Sequence, residues 1–246
     1  MARRRFFVES VHSGRAQITG QDAHHLTRVL RVEAGQKFEI SDNRNVYLAE
    51  VESARKDLVS FAIIEQLQAD APVLQVTLYA ALIKFEHFEL MLEKATELGV
   101  EQITPVETER SEKGLALAAT KRLTRWKRIA REASEQSRRV RLPEIASPVS
   151  LADALRCNAK YRYALDESET QPILSAIPAK RLPEDRVALL AGPQGGWTDR
   201  ERAMIAAAHW TAVSLGPNIL RAETAAIAAL SVLNAAWLLH SEFLNS

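Results

Sequence analysis

The alternation of apolar and polar positions changes in character near residue 70. Before that point, short apolar stretches are separated by turn residues. They predict strands at Arg5–Glu9, Ala16–Thr19, Lys37–Ser41, Val46–Val51 and Val59–Glu65. One short helix is predicted at Asp22–Leu30, with Asp22 as its N-cap. Short strands at this spacing indicate a small β-barrel.

After Ala69–Pro72, longer apolar runs alternate with helical periodicity. Buried strands are predicted at Val73–Leu82, Ile103–Val106, Tyr161–Leu165, Val187–Leu190 and Ala212–Leu215. Helices are predicted at Phe88–Leu98 before Gly99, Lys121–Arg139, Thr198–Ala208 with a Thr198/Glu201 capping box, and the alanine-rich Glu223–Leu239. This alternation is typical of an α/β fold with a mostly parallel sheet. We therefore expect two domains, 1–70 and 73–246.

Two glycine-rich turns follow the last two predicted strands. The first is Gly192-Pro193-Gln194-Gly195-Gly196, and the second runs from Leu215 through Gly216 to Thr224. Glycine lets backbone approach a ligand closely, and ligands of open α/β sheets bind at the carboxyl ends of strands. For one such turn, tight geometry alone and a ligand site are equally good explanations. Two turns, expected on neighbouring strands, favour one small-molecule pocket, although they match neither the phosphate loop nor the dinucleotide fingerprint.

Polar residues stand where the last predicted helix begins. Arg221, Glu223 and Thr224 lie among apolar neighbours there. Two interpretations are open. These side chains line the pocket, or Glu223 is a helix-start acid favoured by the helix dipole beside a solvated arginine.

Positive charge is concentrated between Arg110 and Arg141. This segment holds eleven Lys or Arg against three Glu, although the whole chain carries a net charge of only +1. On the predicted helix, apolar residues occupy one face and arginines the others, which indicates either a solvated face or contact with nucleic acid. Arginine suits phosphate because its planar fork binds two oxygens. Arg3, Arg4 and Arg5, with Arg28 and Arg31, form a second basic group that is equally explained as a basic tip before core phenylalanines.

Several classes of site are excluded. A single cysteine, Cys157, rules out an internal disulfide and a cysteine-based metal cluster. His24 and His25 are adjacent and would not share a helix face, so we expect no metal site there. Met1–Phe7 lacks the features of a signal peptide, and no apolar run approaches the roughly 20 residues of a membrane span. A cytoplasmic protein without a membrane or metal partner is expected.

Several motifs occur in one order along the chain: Thr96–Val100, Arg125–Ile129, Glu132–Ser137, Gly192–Gly196 and Leu215–Ala225. Together they resemble the ribosomal RNA small subunit methyltransferase E family of the SPOUT superfamily. His24-His25-Leu26 and Val29-Leu30-Arg31 resemble that family's N-terminal domain. The resemblance covers nearly the whole chain. It implies an N-terminal PUA-like β-barrel and a C-terminal α/β domain with a trefoil knot.

The resemblance also implies an activity. Members act as homodimers on 16S rRNA or the small ribosomal subunit, using S-adenosyl-L-methionine to methylate N3 of a uridine in the decoding region. Cofactor binding is then expected at Leu190, Gly192, Pro193, Gly195, Gly196, Leu215, Gly216, Ile219, Leu220 and Thr224. RNA binding is expected at Arg3, Arg4, Arg5, Arg28, Arg31, Arg122, Arg125, Arg128, Arg138 and Arg139.

Methylation at N3 requires removal of a proton or stabilisation of a uridinate. Arg221 is the candidate for stabilising the anion, and Glu223 is the candidate base. The chain departs from the family in carrying Gln194 where Glu is usual and Asn218 where Arg is usual. Neither change opposes cofactor binding through backbone groups. Two other readings stay open: a related methyltransferase acting on another RNA, and an RNA-binding module without catalysis.

Overall fold

A computed structural model describes residues 4–69, 72–112, 114–168 and 171–244. The chain forms two compact units. Unit 1 comprises Met1–Asp70 and Arg131–Leu142, and unit 2 comprises Ala71–Ala130 and Pro143–Ser246. The segment 131–142, which sequence analysis placed in the C-terminal domain, therefore clusters with the N-terminal strands.

Unit 1 is built on a six-stranded sheet in the order β1-β4-β5-β6-β3-β2. The strands are β1 Arg5–Phe7, β2 Val11–His12, β3 Arg15–Thr19, β4 Lys37–Ser41, β5 Val46–Arg55 and β6 Leu58–Leu67. β1 is parallel to β4, and the other neighbours pair antiparallel. All five predicted strands are present, β2 is additional, and closure of the sheet into a barrel stays a prediction.

The first helix, α1 Gly20–Arg28, buries Ala23 and Leu26. Asp22 is not its N-cap, so that prediction was wrong: the cap position is Thr19. The reason is that the chain turns at Gly20, whose φ is +64° and whose N–H donates to the Asp57 carbonyl at 3.1 Å. The helix therefore starts directly after β3. Asp22 lies in its first turn and forms an ion pair with Arg131 at 3.2 Å.

Unit 2 contains a seven-stranded sheet. Its main order is β10-β8-β7-β12-β11-β13, and β9 pairs with β8. The strands are β7 Gln75–Ala81, β8 Gln102–Glu107, β9 Glu144–Ile145, β10 Val149–Ser150, β11 Tyr161–Leu165, β12 Arg186–Ala191 and β13 Thr211–Val213. Every pairing between these strands is parallel. The predicted α/β class with a mostly parallel sheet is confirmed.

Six helices belong to the rest of the described chain. They are α2 Phe85–Glu97, α3 Leu115–Gln136, α4 Leu151–Ala154, α5 Ile173–Ala176, α6 Asp199–Ala207 and α7 Ala222–Leu244. The four helices predicted here are present, and α3 begins six residues before the predicted start. In α2, Phe88, Leu92 and Ala95 are buried, as the periodicity predicts. Gly99 ends that helix with a φ of +87°, a conformation that glycine adopts without strain.

The two glycine-rich turns were expected to follow neighbouring strands, and this prediction was wrong. β11 lies between β12 and β13 and pairs with both. Buried strands of a parallel sheet are alike in composition, so their order in the sheet cannot be read from the order along the chain. One consequence is that the segment after β11 also reaches the region of the turns.

The helix α7 contains a stretch with the length and composition of a membrane span. Ala222–Leu239 has a mean hydropathy of 1.5 over 18 residues, contrary to the expectation that no apolar run approaches this length. Frequent alanines raise the hydropathy of this helix. In the structure 39% of the window is buried. Its buried residues, including Ala226, Leu230, Leu233 and Trp237, belong to the main hydrophobic core of unit 2, which accounts for this composition.

Candidate active site

Because all strands of the unit 2 sheet are parallel, their carboxyl ends meet at one edge, here called the carboxyl edge. The segments that follow five of these strands carry the residues of the candidate site. They lead from β7 to α2, from β8 to Glu109 and Arg110, and from β11 to Asp166 and Glu167. The first glycine-rich turn follows β12, and the second follows β13.

The first turn is packed against a tryptophan. A Cβ built at Gly192 would lie 2.9 Å from Trp197 Cε2, closer than side chains approach each other. Trp197 is fully buried, and its indole N–H donates to the Leu165 carbonyl at 2.8 Å. The ring is therefore fixed at the end of β11. Gly192 is required because the ring occupies the space of any larger residue.

An arginine from the segment after β8 holds the other end of this turn. The Arg110 guanidinium donates to the Gly195 carbonyl and, at 3.4 Å, to the Gly196 carbonyl. Gly196 has a φ of +69°, and a Cβ there would lie 2.3 Å from Glu167 Oε1. The turn thus contacts segments that follow β8 and β11. Arg110 could not be selected from the sequence, because its position in a basic segment gave no sign of this contact.

Buried carboxylates fix the start of α6 below the first turn. Thr198 and Glu201 form the predicted capping box, which is confirmed. The buried Glu201 carboxylate also accepts the Glu109 N–H at 2.8 Å. Arg202 donates to the buried Asp166 carboxylate at 2.7 Å. Burial alone would raise the pKa of Asp166, but hydrogen bonds from Arg202 and Ser168 outweigh it and hold the pKa below its ordinary value.

The second turn is open to solvent. Gly216 has a φ of +119°, which suits glycine, and the residues from Gly216 to Arg221 are all exposed. Ile219 has 85% of its surface exposed and Leu220 has 37%. Leu215 is half-buried against the core of unit 2. The turn therefore presents apolar side chains beside backbone that is unobstructed at Gly216.

The two candidate catalytic residues differ in environment. Arg221 is exposed and, within the described residues, its guanidinium has no ion-pair partner. Glu223 is only 4% exposed, although it lies in the first turn of α7. Its Oε1 lies 3.0 Å from His87 Nδ1, and its buried Oε2 has no hydrogen-bond partner among the described residues. His87 was missed by sequence analysis, since α2 and α7 are far apart along the chain.

Several basic residues predicted to bind RNA form ion pairs with carboxylates that are distant from them in the sequence. In unit 2, Arg122 and Arg125 each contact the Glu89 carboxylate at 2.9 Å. These hydrogen bonds, that of Arg125 foremost, hold the pKa of Glu89 below its ordinary value. Arg128 also has an interaction partner. The carboxylate comes from α2, so the excess of positive charge along α3 is partly balanced in space.

Basic residues of unit 1 that are predicted to bind RNA also form ion pairs with a carboxylate. The Glu39 carboxylate binds the buried Arg5 at 2.8 Å and also accepts from Arg138 at 2.5 Å. Arg139 donates to the Arg141 carbonyl at 3.1 Å. Arg4, Arg28 and Arg31 are exposed, and Arg3 lies outside the described residues. The RNA contacts predicted for all these residues stay predictions.

A cavity of about 410 Å³ lies within unit 1. It is lined by backbone and side chains of β1 to β3, with His12, Arg15, Asp22 and Arg131 among the charged or titratable residues. Its polar lining contrasts with the apolar second turn of unit 2. In the described parts of the chain, no group of three or more His, Cys, Asp or Glu is arranged to hold a metal ion.

Comparison with known proteins identifies the class first. A family described as RNA methyltransferase domain matches residues 69–234, and one described as RNA methyltransferase PUA domain matches residues 18–64. A ribosomal RNA small subunit methyltransferase E from Synechocystis sp. is 33% identical over 92% of this chain and 75% of its own length. The chain belongs to the ribosomal RNA small subunit methyltransferase E family.

Two solved structures are similar over almost their whole length. A putative methyltransferase from Legionella pneumophila, solved with bound SAM, has a TM-score of 0.88 and 29% identity, covering 96% of this chain and 98% of that one. The methyltransferase E from Neisseria gonorrhoeae, bound to S-adenosyl methionine, has a TM-score of 0.86 and 27% identity, with coverages of 96% and 98%. The predicted PUA-like and SPOUT-type domains are confirmed. The trefoil knot stays a prediction.

Proposed function

We propose that this protein transfers a methyl group from S-adenosyl-L-methionine to N3 of a uridine in the decoding region of 16S rRNA. The observation that carries the proposal is the similarity of the whole chain, with a TM-score of 0.86, to a methyltransferase E bound to that cofactor. Family membership supports rRNA of the small subunit as the substrate. The position N3 and the decoding region follow from the resemblance described above.

The residues at the carboxyl edge fit this cofactor. At Gly192 and Gly196 a Cβ would meet other atoms at 2.9 and 2.3 Å, so only backbone fits at these two positions of the first turn. The exposed Ile219 and Leu220 offer apolar surface for an adenine ring. We assign cofactor binding to the backbone and apolar groups of both turns: Leu190, Gly192, Pro193, Gly195, Gly196, Leu215, Gly216, Ile219, Leu220 and Thr224.

When bound, S-adenosylmethionine supplies an electrophilic methyl group attached to a sulfonium. The chain must then remove the proton from uridine N3 and hold that atom in line with the methyl carbon. Glu223 Oε2 is a buried acceptor with no hydrogen-bond partner in the described parts of the chain, and it takes this proton in our proposal. The N–H electron pair stays on N3 and forms the new bond to carbon. The carbon–sulfur bond breaks, and its electrons stay with sulfur.

Negative charge develops on the uracil ring as the proton leaves. Arg221 stands two residues before Glu223, exposed and without an ion-pair partner in the described chain. An unpaired guanidinium is suited to binding a uracil oxygen or a neighbouring phosphate. We therefore assign Arg221 to stabilisation of the uridinate. Gln194 and Asn218 have no catalytic role in this proposal.

The remaining parts of the proposal concern partners. The PUA-like domain in unit 1 and the basic residues of α3 bind the rRNA or the small ribosomal subunit. The chain acts as a homodimer, because α7 leaves Leu238 and Leu239 exposed at 47% and 58%. Such apolar surface is covered at subunit interfaces. The site of action is the cytoplasm, where small subunits are assembled, and no metal takes part.

Comparison of cells with and without the gene tests the proposal. 16S rRNA is purified from both strains, digested to nucleosides and analysed by mass spectrometry. We expect 3-methyluridine in the parent strain, its loss in the deletion strain, and its return with the wild-type gene. An unchanged amount of 3-methyluridine in the deletion strain would contradict the proposal.

A further inference from the structure

His87 lies in the first turn of α2, close to the start of α7. It is the third residue of α2, and its Nδ1 lies 3.0 Å from Glu223 Oε1 in the first turn of α7. Its Nε2 lies 3.4 Å from the Glu86 carboxylate. The imidazole therefore has a carboxylate on each side. The Glu223 carboxylate is buried, whereas the side chain of Glu86 is 78% exposed.

The two oxygens of Glu223 are not equivalent. Oε1 is paired with His87, and Oε2 is buried without a hydrogen-bond partner among the described residues. Buried polar atoms are satisfied in nearly all native structures, and Oε2 of Glu223 therefore has capacity to accept a hydrogen from a ligand group bound at the candidate site. A carboxylate oxygen only accepts, so the 3.0 Å contact becomes a hydrogen bond when Nδ1 of His87 carries the hydrogen.

The pair joins two segments that sequence keeps far apart. α2 follows β7, and α7 follows the second turn after β13, with β12 and β11 between these strands. Both helices start at the carboxyl edge, where both glycine-rich turns lie. α2 and α7 also pack against each other through the core that contains Phe88, Leu92, Ala226 and Leu230. The pairing of His87 with Glu223 is therefore set by two rigid elements.

We propose that His87 is a positioning residue: it holds Glu223 through Oε1 so that Oε2 faces uridine N3 and accepts its proton. This inference rests on the proposed function. His87 itself touches neither the uridine nor the cofactor. Among the described residues, Glu223 and Glu86 are the charged groups in ion-pair contact with it, and it acts on the reaction only through the orientation of Glu223.

Three substitutions test the role. H87L removes the donor while keeping a similar volume, and H87N places an amide N–H near the position of Nδ1. E86Q is the control, because it alters only the exposed contact on the far side of the ring. Single-turnover methylation of small subunits from a deletion strain is measured at saturating cofactor, and cofactor affinity is measured by calorimetry.

We expect H87L to lower the single-turnover rate about 10- to 100-fold, less than complete loss of a general base. Cofactor affinity should stay within about threefold, H87N should recover most of the rate, and E86Q should resemble the wild type. In an E223Q background, H87L should cause no further loss, because a residue acting through Glu223 has nothing left to position. A wild-type rate in H87L, no recovery in H87N, or losses that multiply in the double variant would overturn the assignment.

The wild-type protein separates this inference from the proposed function. If the wild type forms 3-methyluridine and H87L does so equally fast, only the role of His87 is wrong. If the wild type forms none, the proposed function fails and the role of His87 fails with it. The pairing itself is read independently from the ¹⁵N chemical shift of His87 Nδ1, which should change in E223Q and stay unchanged in E86Q.

Discussion

The indole of Trp197 occupies the space beside Gly192 that a side chain would need: a Cβ at Gly192 would lie 2.9 Å from Trp197 Cε2. Trp197 cannot yield easily, since it is fully buried and bonded to the Leu165 carbonyl. The geometry of the first turn therefore depends on the absence of one methyl group.

We expect G192A to destabilise the protein and to displace the first turn. Overpacking of this kind lowers the free energy of unfolding by about 1–3 kcal/mol. Cofactor affinity, measured by calorimetry, should weaken about tenfold. The matched control is G195A, where the Cβ would meet Arg110 Cδ at 3.2 Å, a flexible side chain that can move aside. Equal losses of stability in G192A and G195A would contradict this account of the turn.

Arg221 and Glu223 give a second prediction. R221A and E223Q should each lower the single-turnover rate about 100-fold or more while leaving the cofactor dissociation constant within about threefold, because we propose that both residues act on the uracil and not on the cofactor. Quench-flow methylation and calorimetry give the two quantities. R156A, which removes an exposed arginine paired with Asp153, should behave as the wild type. Near-normal rates in both R221A and E223Q would remove these residues from the mechanism.

A third prediction concerns pH and unit 1. Burial raises the pKa of Glu135 from its ordinary value of 4.5 to about 7, although Arg131 and the Phe7 N–H oppose it. The protonated form is favoured in the folded state, so its contribution to stability is full below about pH 4.5 and is lost as the pH rises through 7. E135Q carries no ionisable group. Its stability relative to the wild type should therefore increase between pH 5 and 8.

Urea unfolding at pH 5, 6, 7 and 8 measures this difference. E132Q, at a neighbouring exposed position of the same helix, serves as the control and should keep the pH dependence of the wild type. A constant difference between E135Q and the wild type across this range would show that Glu135 has an ordinary pKa.

The elements of the fold were largely predictable, because they depend on local patterns. Trp126 and Ala130 are buried along α3 as the periodicity of that helix indicates, and the capping box at Thr198 marks the start of α6. The N-cap at Thr19 was not predicted, because the left-handed turn at Gly20 depends on a hydrogen bond to the carbonyl of Asp57, in the loop before β6. Such long-range contacts leave no local pattern.

The candidate site was predictable only in part. Both glycine-rich turns and Glu223 could be selected from the sequence, since glycine and a helix-start carboxylate are visible there. His87 and Arg110 could not, because each is defined by a contact with a distant segment. The same holds for Glu89, whose carboxylate balances arginines that have few acidic neighbours along the chain.

A fourth prediction is that arginines of α3 contribute to RNA binding, although Arg125 is also paired with Glu89. R125A combined with R128A should weaken the affinity for small subunits and reduce the slope of log affinity against log salt by about 1.5, as expected for two lost phosphate contacts. Filter binding at several salt concentrations measures both quantities. Alanine is preferred to glutamate at position 125, since a new acid would face Glu89.

Replacement of two arginines elsewhere provides the control. Arg156 follows α4, and Arg186 is at the amino end of β12, away from the carboxyl edge. R156A with R186A removes the same charge and should leave the salt slope near that of the wild type. Identical slopes for all three proteins would clear α3 of phosphate contact.

Transfer of a labelled methyl group in a purified system tests the central claim most directly. Small ribosomal subunits from a deletion strain are incubated with the protein and S-adenosylmethionine carrying a ¹³C-labelled methyl, and 16S rRNA nucleosides are analysed by mass spectrometry. We predict labelled 3-methyluridine with wild-type protein and at most a trace with E223Q. Label in another nucleoside, or in none, would contradict the account.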